Sequence, residues 1–132
     1  MQAVLHSFAY GLTFLREQVA DVPPKDMVAQ PPGFVAHPAW TIGHLTYINQ
    51  SLGEVIGVPT WLSDDWAKRY GSGSVPVPDV GVYEAKDLAL SMLEDARQRV
   101  AAMVEQLSES QLEQPFPDAS YSDVFPSIRH FL

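Results

Sequence analysis

His37-Pro38-Ala39-Trp40-Thr41-Ile42-Gly43-His44-Leu45 opens an apolar helix and sets an imidazole, His44, into its hydrophobic surface. Pro38 suits the first helical turn, where its missing N–H has no intrahelical partner, and His37 falls near the N-cap. Trp40, His44 or Leu45, Ile48, Leu52 and Val55 carry a three-and-four spacing toward Gly57. A polar ring in such a stripe needs a partner. Either His44 is hydrogen-bonded in the core, or it is one ligand of a metal whose other ligands sit on neighbouring helices. His37 and His44 share nearly one face but lie about 10 Å apart along the axis. That is too far for one ion whose Zn–N bonds are about 2 Å.

Upstream, Val4/Leu5, Phe8, Leu12, Leu15 and Val19 predict a helix over residues 3–20. Asp21-Val-Pro-Pro-Lys and Gln30-Pro-Pro-Gly break the chain, leaving a connection with one helical turn near Lys25–Ala29. Downstream, residues 58–81 hold Pro59, Gly71, Gly73, Pro76, Pro78 and Gly81 and read as a long irregular loop carrying Trp61, Trp66 and Tyr70. Ala85, Ala89, Met92, Ala96, Val100, Met103 and Leu107 then predict the longest helix, across 82–107. Ser108-Glu-Ser-Gln111 has capping-box spacing. Ser122-Asp-Val-Phe-Pro126 reads as a last helix start with Pro126 in its first turn. That helix stops at Leu132 without a C-cap signal. It would span at most about 16 Å against about 39 Å for the third helix, so the last helix is expected to be truncated.

The 132 residues suit one domain, 1–132. No apolar run approaches the roughly 18 residues of a membrane span, and the N-terminus lacks signal-peptide character, so a cytoplasmic location is expected. The absence of cysteine excludes disulfides, thiolate metal sites and a cysteine nucleophile. Any metal must use imidazole, carboxylate or water. Eight Lys plus Arg against sixteen Asp plus Glu give a net charge of -8, which speaks against nucleic acid and anionic membrane as partners. The acidic residues, Glu84 among them, are spread out and read as solvated helix faces.

Four histidines are available. His6 lies off the apolar stripe, aligned with Tyr10 and Thr13. His44 and His130 fall on the second and fourth helices, which can be neighbours in an antiparallel bundle. No G-x-S-x-G elbow supports a serine triad, and Gly71-Ser-Gly-Ser is flanked by prolines rather than placed between strand and helix, which excludes a phosphate loop. Met92 and Met103 read as core filler. Trp61, Trp66 and Tyr70 either wall a ligand pocket or serve only as a lid on the bundle.

The order of these features resembles the DinB-like superfamily. A first amphipathic helix, a Pro-rich connection and His-Pro-Ala-Trp-Thr-Ile-Gly-His-Leu are followed by a Trp/Gly/Pro loop, a long third helix and a Ser-Glu-Ser-Gln-Leu turn. The sharpest motif, Trp40-x-x-Gly43-His44-Leu45, is similar to that family's Trp-x-x-x-His-Leu segment and maps His44 onto its first metal ligand. The resemblance implies an all-α fold, an antiparallel four-helix bundle, often a homodimer, holding a divalent metal (Zn, Ni, Fe or Mn) with three histidines. It also implies small-molecule chemistry, in some relatives thiol-dependent transfer or isomerisation using small thiols. The other two family ligands come from a His-x-x-x-His on the last helix, where i and i+4 share a face. Here only His130 is present on that helix. A single histidine plus water holds an ion weakly or not at all.

Three readings follow. In the first, the chain is a metal-dependent transferase or hydrolase in which the ion acts as Lewis acid or activates a thiol or water. There His44, with His130 as the lesser candidate, ligates the ion, and Trp40, Tyr47, Trp61, Trp66 and the 58–81 loop shape the pocket. In the second, it is a non-enzymatic bundle, a dimerisation or small-ligand module, with a structural His44. In the third, it is a fragment that completes its core through a partner.

Overall fold

The computed structural model describes residues 2–118 and 123–132 and, of these, the side chains of all but residues 2–5, 7 and 8. The helices are α1 (Gln2–Val19), α2 (Pro38–Val55), α3 (Asp64–Tyr70), α4 (Lys86–Val104), α5 (Glu109–Leu112) and α6 (Ile128–Phe131). Two 3-10 turns, Pro24–Val28 and Val80–Val82, join them. No strand occurs among the described residues, and no described helix is long and apolar enough to cross a membrane. Val4, Leu5 and Phe8 of the expected stripe, and the expected cap Ser122, lie outside the described side chains.

The core has three parts strung along α2 and α4. At one end Ala39 and Ile42 of α2 meet Ala89, Leu90 and Leu93 of α4, together with Val19 of α1 and Met27 and Val28 of the first 3-10 turn. At the other, Leu52 and Ile56 meet Val100, Val104, Leu112 and Ile128. The N-terminal halves of α2 and α4 are therefore side by side, as are their C-terminal ends. The two helices run parallel, a correction to the antiparallel arrangement expected for neighbours. The cause is the connection between them, residues 56–85, which is long enough to return the chain to the end where α2 began. Val19 at the C-terminal end of α1 packs on the N-terminal ends of both, so α1 opposes them. Lys86 seals that join, its ammonium donating to the carbonyls of Val19, Ala20 and Val22 at 2.9–3.2 Å, where a helix leaves acceptors unfilled.

The 58–81 stretch is not wholly irregular, because α3 lies inside it. Ser63 is its N-cap residue, Asp64 and Asp65 occupy the first turn, and Lys68 and Arg69 the last, charges that complement the helix dipole at both ends. Trp66 and Tyr70, one turn apart, are 5% and 1% exposed. Gly71 stops the helix, its N–H bonding to Ala67 O, and a Cβ there would strike that same oxygen. The prolines and glycines thus flank a short helix that buries one edge, Trp66 and Tyr70, within an otherwise irregular stretch. At the C-terminus the described helix begins at Ile128, with Ser127 at its N-cap position but making no side-chain cap bond, and Pro126, expected in the first turn, lies outside it. The Ile128 N–H is drawn to Gln114 O (2.9 Å) and the Arg129 guanidinium to Glu109 and Glu113, which pins the short helix onto α5. The capping box of α5 forms as expected, Ser108 and Gln111 satisfying each other's backbone.

Candidate functional site around His44

Pro38 at N1 and His37 at the N-cap start α2 as expected. His37 is 2% exposed. Its Nδ1 accepts from Trp40 N at 3.1 Å and its Nε2 pairs with Val77 O at 3.0 Å. A carbonyl cannot donate, so Nε2 carries the proton and both nitrogens are used within the protein. Burial lowers its pKa below the usual 6.5, while hydrogen bonds to backbone carbonyls oppose that shift without cancelling it. Tyr83 meets the ring edge-on, centroids 4.7 Å apart.

His44, two turns on and half-buried, has the opposite arrangement. Its Nδ1 lies 2.6 Å from Tyr70 O, so Nδ1 carries the proton and Nε2 keeps a lone pair. Nε2 makes no hydrogen bond among the described residues. Trp40 stacks on the imidazole, centroids 4.5 Å apart and planes 11° from parallel. The Trp40 indole N–H is shared between Arg69 O (3.1 Å) and Ser74 Oγ (3.0 Å). Trp40 and His44 therefore fill the last two carbonyls of α3, acceptors that a helix end cannot satisfy internally. Gly43 makes room for this: a Cβ there would collide with the Tyr70 ring. The Trp-x-x-Gly-His spacing is thus the receptor for the end of α3.

Tyr70 is held at its far side as well. Its hydroxyl donates to Glu84 Oε2, and Arg69 reaches Glu84 Oε1 at 2.8 Å, Val82 O at 3.1 Å and Asp65 Oδ2 at 2.8 Å. Burial, then the bond and charge of Glu84, push the phenol's pKa well up, so it remains a donor. The Arg69 guanidinium lies over the rings of Trp66 and Tyr70, 5.6 and 5.1 Å from their centroids. The Glu84 side chain is only 16% exposed, a correction to its reading as a solvated face.

Of the expected pocket residues, Trp40, Tyr47 and Trp61 pack against the buried cluster of Leu62, Trp66 and Tyr70. Trp66 is itself a buried member of that cluster, 5% exposed. Gln50 anchors this segment, its Oε1 accepting from Trp61 N (3.2 Å) and Leu62 N (2.6 Å). His130 is placed on α6, exposed, with Nδ1 2.8 Å from Ser127 Oγ. α6 packs through Ile128 and Phe131 with Leu52 and Ile56, and Leu52 lies about 12 Å beyond His44 along the helix axis. His6 is exposed on α1.

Sequence reasoning missed Tyr70 as the partner of His44, and Glu84 and Arg69 as the residues that hold Tyr70. The only signal was Gly43, a glycine inside a helix, which points to close approach by a neighbour. As for a metal, His44 offers the right nitrogen, but among the described residues no group of three or more His, Asp or Glu side chains is arranged to hold an ion. The donor set thus fits at one ligand and falls short as a whole.

No significant match is found among curated proteins or among solved structures. A sequence model of the DinB superfamily matches residues 13–131, nearly the whole chain. The helical fold and the Trp40–His44 arrangement stand within that match, and the chain belongs to the DinB superfamily.

Proposed function

We propose that this chain is a metal-dependent enzyme of the DinB type, a thiol-dependent transferase or a hydrolase of a small molecule, built as a four-helix bundle and homodimer. His44 supplies one ligand through Nε2. The observation that carries this reading is the bond from His44 Nδ1 to Tyr70 O. A metal-bound imidazole is neutral, coordinates through one nitrogen and donates the other N–H to a carbonyl or carboxylate, which sets its tautomer and orientation. On this proposal the remaining donors come from a second copy of the chain, because every histidine and carboxylate of this one is among the described residues and no three of them are arranged to hold an ion.

A second reading, a non-enzymatic helical bundle, draws on the same bond and on the incomplete donor set. In it His44 serves only to cap α3. Elemental analysis separates the two. Full-length protein purified without chelator should carry about one Zn, Ni, Fe or Mn per protomer on the enzyme reading, and His44→Ala, folded by circular dichroism, should carry none. A metal-free wild-type protein overturns the enzyme reading and leaves the second.

A further inference from the structure

We propose that Tyr70 and Glu84 are positioning residues for His44, and that with Gly43 they hold its imidazole in the Nδ1–H form, lone pair on Nε2. The use of that lone pair rests on the enzyme reading above; the lock itself does not.

An unconstrained imidazole favours the Nε2–H form, so the opposite tautomer needs a partner on Nδ1 that accepts and stays in place. Tyr70 O is that partner. It ends α3, where no following N–H reaches it, so its best available donor is His44. The carbonyl is kept from drifting by two constraints on its own residue and one on its neighbour. The Tyr70 ring is buried to 1% exposure and seated in the hollow left by Gly43. Its hydroxyl is tied to Glu84, which stands just before α4 and is itself anchored by Arg69. The neighbouring carbonyl, Arg69 O, is held by Trp40. Trp40 also acts on the other side, since its stack on the imidazole opposes a turn of the ring that would carry Nδ1 away from the carbonyl. The motif thus holds both halves of the bond, the ring through Trp40 and the carbonyl through Gly43.

The test is nitrogen NMR of the His44 side chain in metal-free, full-length protein at pH 8, where the protonated nitrogen is read directly from its shift. Wild type should show a protonated Nδ1 and an unprotonated Nε2. In Gly43→Ala and in Glu84→Ala, the Nε2 shift should move toward the protonated end of the imidazole range. Glu84→Gln, which still offers the phenol an acceptor, should keep the wild-type pattern. A wild-type protein in the Nε2–H form overturns the proposal. So does a folded Glu84→Ala with the wild-type pattern, or a Glu84→Gln as disturbed as the alanine variant. Should Gly43→Ala fail to fold, the Glu84 pair decides alone. A locked tautomer in a protein that holds no metal keeps this inference and removes only the enzyme reading.

Discussion

His37 and His44 sit two turns apart on α2 and carry their protons on opposite nitrogens. His37 takes a backbone N–H on Nδ1 and gives its Nε2–H to Val77 O. Everything the ring can do is used to start the helix and close the 71–85 segment over it. His44 gives Nδ1–H to Tyr70 O and leaves Nε2 with a lone pair at a half-buried position. The difference is not one of residue type or of helical face. It lies in which backbone group reaches the ring first: the N–H of Trp40 for His37, the carbonyl of Tyr70 for His44. A histidine beside a helix start is consumed by orphan donors, whereas one facing the end of another helix meets orphan acceptors and is left with a coordinating nitrogen.

The largest break in this comparison comes from Tyr70→Ala. Removing a fully buried ring of this size costs about 4 kcal/mol, and the His44 side of α2 then loses the residue that holds its acceptor. Urea unfolding should show that loss. A cost below about 1 kcal/mol would mean that the ring is not packed as described and that the hollow at Gly43 has another use. On the other side, His37→Ala removes an N-cap worth about 1 kcal/mol and leaves Val77 O without its donor, worth about 1 kcal/mol more. The expected total is thus roughly half that of Tyr70→Ala. In a metal-free sample the His44 tautomer should be unchanged by His37→Ala, since the two rings share no hydrogen bond.

Much of the α2 side of this comparison was legible in the sequence. Pro38 and the apolar spacing after it mark where α2 begins, and His37 has to stand at its cap. The match of Leu12, Leu15 and Val19 to one helical face also holds. What could not be read was everything that depends on the return path of the chain. Residues 58–81 carry enough Gly and Pro to look irregular, yet Asp64, Asp65, Lys68 and Arg69 give a short helix whose charges complement its dipole at both ends. The apolar part of that signal is only Trp66 and Tyr70, too short for periodicity to register. The parallel course of α2 and α4 likewise has no local signature, because it is set by contacts between Ala39 or Ile42 and residues some fifty positions on. Glu84 looked like any surface acid. Its role follows from standing opposite Tyr70 and Arg69, which only the folded chain brings about.

The finest probe of the two rings is pH, because it acts on His37 as a slope rather than a step. Burial lowers the pKa of His37 in the folded protein, the backbone hydrogen bonds to Val77 and Met27 opposing that shift only in part. Between that lowered value and 6.5, the ordinary value of the unfolded chain, the unfolded state binds a proton that the folded state refuses. Stability must therefore rise with pH across this window, be complete above 6.5, and fall as the solution is acidified through it. Protonation would also add a hydrogen to Nδ1, where the Trp40 N–H already points, so the cap and the proton compete for one lone pair. Melting temperatures between pH 7.5 and 5.5 should decline in wild type and decline less in His37→Asn, whose side chain still caps the helix but does not titrate. Equal slopes would assign the dependence to another group and remove the claim that His37 is held neutral by its surroundings, leaving the contrast between the rings to rest on geometry alone.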